Sequence, residues 1–163
     1  MSASLFFIIL LAGLFLFSFI TKRRFGVLGL ALAAGALISE SWAATLTPAI
    51  EQQGIYVAAP PLEVLVRSVL LLLPPVILLF SGPMYTSKLW RFIGSLIFAL
   101  LATTFLFNYF AATLQFDHTS AMFALVIETY RPYIVVAGLS LAVLDTFLLK
   151  TPKFKRPRRE KHE

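Results

Sequence analysis

Three ionisable residues stand inside otherwise apolar stretches of this chain: Glu40, Arg67 and Asp145. A charge held within a bilayer costs at least a few kcal/mol, so such groups face protein or water and mark partners or pathways. Two chemistries are open to them. They can pair and fix the register of neighbouring helices, or they can line a path for protons or ions. Glu40 continues a run of small residues, Gly29, Ala33, Ala36 and Ala44, at steps of three and four that share one helical face. Small residues let helices approach closely in lipid, which predicts that Glu40 faces another helix. Arg67 lies at a comparable depth and is its predicted ion-pair partner. Glu63, four residues before Arg67, competes for it. Gly138, Ala142 and Asp145 form a second small-to-acidic face, with Lys22, Arg23, Arg24 and Arg91 as candidate cations.

Uncharged polar groups are few. Thr104 and Asn108 share a face with Gly94, Ile97 and Leu101 and are expected to form interhelical hydrogen bonds. Pro74 and Pro75 have no N–H to give to the carbonyls of Leu70 and Leu71, which predicts a bend or break there. The chain has no cysteine, so it offers no disulfide, thiolate ligand or thiol nucleophile. Its two histidines, His118 and His162, lie outside the spans, which excludes an intramembrane bis-histidine haem. Asp117-His118 is one loop pair without a third ligand. No His-Glu-x-x-His, Gly-x-Ser-x-Gly or Gly-rich nucleotide motif occurs. These observations point away from an enzyme and imply no cofactor and no metal.

The elements that must hold these residues are apolar helices. The composition is 59% hydrophobic and 13% charged, with a mean hydropathy of +0.86; soluble domains are about 25% charged. Five stretches approach the roughly 20 residues that cross a hydrocarbon core of about 30 Å. They are Ser4–Ile20, Val27–Leu46, Val64–Phe80, Phe92–Leu114 and Tyr133–Leu149. Pro48–Glu63 reads as an exposed loop and Ser81–Arg91 as a short polar one. The run Ala121–Ile127 is too short to span and reads as an interfacial helix or cap, with Pro132 opening the last span.

Loop charge sets the orientation. With the N-terminus outside, every Lys and Arg of the 14 falls on the inner side except Arg67 and Arg131. The expected fold is therefore an all-α integral membrane protein with five transmembrane helices over 1–149, N-out and C-in. Residues 150–163 form a basic tail expected to be disordered on the cytoplasmic side. Its Lys153, Lys155, Arg156, Arg158 and Arg159 suit anionic lipid headgroups. The stretch Lys22–Arg24, Phe25–Ile38 and Ser41-Trp42-Ala43-Ala44 imitates a signal peptide and its cleavage site, but it lies behind another span. Expected partners are the bilayer and other membrane proteins or further copies of the chain. The placement of the charges does not suggest nucleic acid.

Over Ser4–Leu114 the chain resembles the colicin V production family of small bacterial inner-membrane proteins. The carrying motifs are Lys22-Arg23-Arg24-Phe25-Gly26, where that family has a basic turn between its first two spans, and Trp90-Arg91-Phe92-Ile93-Gly94 at the start of the fourth. The second motif keeps Arg91 and Gly94 but lacks the family's Asp, and Phe98 stands where a further Gly is common. The resemblance implies a role in toxin export or production and envelope upkeep at the inner membrane, without an assigned reaction, and leaves the fifth span unexplained. The leading expectation is a non-enzymatic scaffold or accessory subunit of such a system. The rival expectation is a small oligomeric transporter or channel using Glu40, Arg67 and Asp145.

Overall fold

The computed structural model describes residues 3–55, 57, 60–80, 85, 87–111, 113 and 118–148. These residues form five α-helices and no strand: α1 Ala3–Thr21, α2 Phe25–Glu51, α3 Leu62–Phe80, α4 Lys88–Phe110 and α5 His118–Phe147. Helices α2, α3 and α4 and residues 124–147 of α5 are long and apolar enough to cross a membrane, whereas the apolar part of α1, Leu5–Thr21, is shorter. The basic tail and Asp117 lie outside the described residues.

Two elements run longer than the sequence suggests. Helix α2 passes through Pro48 and ends at Glu51. Pro48 removes only one hydrogen bond, to the Ala44 carbonyl, and its own carbonyl still accepts from the Gln52 N–H at 3.0 Å. The stop is Gly54, whose φ of +83° suits a residue without Cβ. Helix α5 likewise runs through Pro132, so Ala121–Ile127 is its first part and not a separate interfacial helix. Helix α4, by contrast, stops at Phe110, short of Leu114.

Of the bend or break expected in α3 there is no break: the helix is continuous through Pro74 and Pro75. The reason lies across the interface. Helix α2 packs most extensively on α3 and also touches α4 and α5. At Gly35 the backbones come so close that a Cβ would meet the Leu71 carbonyl oxygen, with the Leu71 carbonyl carbon at 2.9 Å and the Leu70 oxygen at 3.1 Å. Those are the two carbonyls that the prolines leave without helical donors. Backbone C–H groups of a glycine can face such oxygens as weak donors. A bare residue on α2 thus meets the bare carbonyls of α3.

This contact sets the rotation of α2. Its inward residues are Leu28, Leu32, Gly35, Ser39 and Ala43, all buried. That row is one position earlier than the expected small-residue row, a turn of about 100° around the axis. Gly29 and Ala36 remain buried at its edge, but Glu40 and Ala44 are exposed.

Helix α1 packs on α4 through aromatic rings. Phe7 and Phe107 lie 4.9 Å apart between centroids, and Phe15 and Phe92 lie 5.4 Å apart. On α5, Gly138 and Ala142 are buried, facing Leu101 of α4 and Gly29 of α2. The expected small-residue face leading to Asp145 is therefore the packed face.

Candidate functional site

The densest polar cluster closes the end of the bundle where α2 starts and α5 finishes. It begins with the turn Lys22–Arg24, too short for anything but a sharp reversal. Lys22 adopts φ +57°, the left-handed region, at a cost of about 1–2 kcal/mol for a non-glycine residue. The turn presents Arg24 and the first N–H groups of α2 to the last turn of α5. Asp145 accepts from Arg24 and from the Gly26 N–H. Its Oδ1 lies 2.8 Å from Arg24 Nη2, and its Oδ2 accepts from the Gly26 N–H at 2.9 Å. Gly26 is required by proximity, since a Cβ there would lie 2.7 Å from the Ala142 oxygen and 2.9 Å from Asp145 Oδ2. The carboxylate supplies from another helix the capping that no side chain of α2 provides.

Tyr85, in the α3–α4 connection, completes the cluster. Its backbone N–H donates to the Lys22 carbonyl at 2.9 Å. Its hydroxyl accepts from the Phe25 N–H at 3.1 Å and donates to Asp145 Oδ2 at 3.4 Å. The Arg24 guanidinium stands 5.5 Å above its ring. Gly94 of α4 makes room for the ring, with a Cβ position 2.9 Å from Tyr85 Cε2. Burial pushes the Tyr85 phenol above its ordinary value, and the Asp145 charge adds to the shift. Two neighbouring arginines serve other partners. Arg23 donates from Nε to the Leu79 carbonyl at 2.8 Å and from Nη2 to that of Phe80 at 3.1 Å, closing the end of α3. Arg91 lies 4.0 Å above the Phe19 ring. Of the four candidate cations for Asp145, Arg24 is the one that pairs with it.

Comparison with protein-family models, curated proteins and solved structures yields no match.

The other charged residues lie apart from this cluster. Arg67 pairs with Glu63 on its own helix, Nη2 to Oε1 at 2.7 Å, and lies 5.9 Å above the Tyr109 ring. The Arg67–Glu40 pair is absent because the rotation of α2 turns Glu40 outward and Glu63 is one turn away from Arg67. Glu40 is exposed and has no partner among the described residues. It lies 11 residues before Glu51, about 16 Å along the helix. Thr104 donates to the Leu100 carbonyl of its own helix at 2.8 Å, so it makes no interhelical bond. Asn108 does: its Oδ1 accepts from Arg131 Nη1 at 2.7 Å. Among the described residues no three His, Cys, Asp or Glu side chains gather as a metal site. Lys153, Lys155, Arg156, Arg158 and Arg159 lie outside the described residues.

Sequence reasoning missed the central part of Tyr85. The available signal was a tyrosine in a short loop followed by Gly94 at the start of the next helix. It also missed Gly35, whose counterpart, the double proline, was recognised without its partner.

Proposed function

We propose that this chain is a five-span inner-membrane protein, N-out and C-in, that works by assembling with another membrane protein or with further copies of itself. It would serve as a scaffold or accessory subunit rather than as an enzyme. The colicin V production family offers the nearest role, in export or envelope upkeep. The observation that carries this reading is Glu40. Its carboxylate stands on the outward face of a long apolar helix, well away from either end and without a partner among the described residues. A carboxylate facing acyl chains is costly, and its ordinary remedy in a membrane is a complementary group on another chain. Ala44 and Ser41 are also exposed beside it, so a second helix can approach closely there.

The transport reading needs Glu40, Arg67 and Asp145 to share a path. Among the described residues they occupy three separate settings instead: an unpaired outward carboxylate, a pair within α3 and a capped helix end. The test is purification of the full chain in mild detergent beside Glu40→Leu. Assembly predicts a stoichiometric partner, or a discrete oligomer, that the substitution removes while the monomer stays folded. A proton or ion flux in proteoliposomes of the purified chain, abolished by Glu40→Gln, would overturn this reading in favour of transport.

A further inference from the structure

A cleft opens between α4 and α5 at the end of the bundle away from the Asp145 cluster. Its outer part, about 310 Å³, is lined by Asn108, Ala111, Ala124, Leu125, Glu128 and Arg131. A second space of about 390 Å³ shares Glu128 and Arg131 and continues along Phe105, Pro132, Val135 and Val136. The two spaces therefore form one groove, charged in the middle and apolar at the end nearer the centre of the bundle.

The charges are not spent on each other. Glu128 and Arg131 are three residues apart on one face of α5, yet they form no ion pair. Arg131 turns one nitrogen to Asn108. Glu128 is exposed and has no partner among the described residues. Pro132 moreover has no N–H to give to the Glu128 carbonyl, which leaves a second acceptor at that residue. The groove thus offers an anion site and a cation site about one turn apart. A ligand of a single charge answers only half of it; a zwitterion answers both.

The depth fits a lipid headgroup. Glu128 stands 19 residues before Phe147, about 28 Å along the helix, close to the thickness of a hydrocarbon core of about 30 Å. Tyr130 and Tyr133 beside it are 57% and 71% exposed, as befits aromatic rings at a membrane boundary. We infer that this groove holds an aminophospholipid: the phosphate on Arg131, the primary ammonium on Glu128, and an acyl chain along Phe105, Val135 and Val136. A primary ammonium has N–H donors for the two Glu128 acceptors; a quaternary choline has none. The site is independent of whether a partner covers Glu40.

The test uses the full chain in nanodiscs of equal parts phosphatidylethanolamine and phosphatidylglycerol, transferred to mild detergent for native mass spectrometry. Retained ethanolamine lipid should exceed glycerol lipid by about threefold, the scale of one exposed charge pair. Glu128→Lys should reverse that preference, and Arg131→Gln should reduce retention of both lipids. Replacing the ethanolamine lipid with phosphatidylcholine should lower retention in the wild-type chain. Glu128 is exposed on the helix surface, so Glu128→Lys carries the test even if Arg131→Gln fails to fold. An unchanged lipid ratio in Glu128→Lys would overturn the inference. So would the absence of any lipid-bound species, or a protein dimer that Glu128→Lys abolishes.

Discussion

Replacing Asp145 with alanine removes the group on which three elements converge. The side chain is 18% exposed and that of Arg24 is 19% exposed, so the pair is neither a surface pair nor a fully buried one. Surface pairs contribute about 0–1 kcal/mol, and removing one partner of a buried pair costs about 3–5 kcal/mol. The loss of the ion pair therefore belongs between these, at about 1–2 kcal/mol. The Gly26 N–H also loses its acceptor at the start of α2, a capping loss of about 1 kcal/mol. The sum predicts a destabilisation of about 2–3 kcal/mol for Asp145→Ala. Asp145→Asn keeps an acceptor for Gly26 but loses the charge, and should cost about half as much. Unfolding in dodecylmaltoside with rising dodecyl sulfate, followed by the fluorescence of Trp42 and Trp90, measures the series. A double-mutant cycle with Arg24→Gln should show coupling of about 1 kcal/mol. If Asp145→Ala fell within about 0.5 kcal/mol of wild type, or if the cycle were additive, the cluster would not be holding α2 to α5.

Two further outcomes follow from local geometry. Gly35→Ala places a methyl group against the Leu71 carbonyl and should destabilise the bundle by about 1–3 kcal/mol, whereas Gly13→Ala, with nothing within 4 Å of its Cβ position, should be neutral; equal effects in the same unfolding assay would refute the close α2–α3 approach. Tyr85 should titrate above the usual tyrosine value near 10, as an absorbance difference at alkaline pH between wild type and Tyr85→Phe. Because its folded value is raised, the folded state holds the proton more tightly. The associated stability is present below about pH 10 and declines as the pH rises through the folded value, a decline that Tyr85→Phe should remove.

The helical architecture was legible because apolar length and turn residues report it directly. The face leading through Gly138 and Ala142 to Asp145 was legible too, and so was the set of cations from which Arg24 is drawn. Three things were hidden, each for a physical reason. The sequence showed Pro48, Pro74-Pro75 and Pro132 as interruptions, but each costs one helical hydrogen bond, and packing or the flanking helix outweighs that loss. The rotation of α2 depends on a contact between Gly35 and a distant carbonyl, and one position of rotation separates an inward Glu40 from an outward one. The choice of Glu63 over Glu40 by Arg67 follows from that rotation. Tyr85 contributes through backbone and hydroxyl bonds to residues some sixty positions away, which no local pattern reports.

If the proposed function holds, the outward carboxylate of α2 meets another polypeptide within the membrane. A photoreactive benzoylphenylalanine placed at position 40 in cells tests it most directly, with position 37 on the same outward side and the buried position 32 as references. The expected result is a discrete covalent adduct at position 40, to one membrane protein or to a second copy, and none at position 32. Adducts at position 40 that contain lipid alone would contradict it.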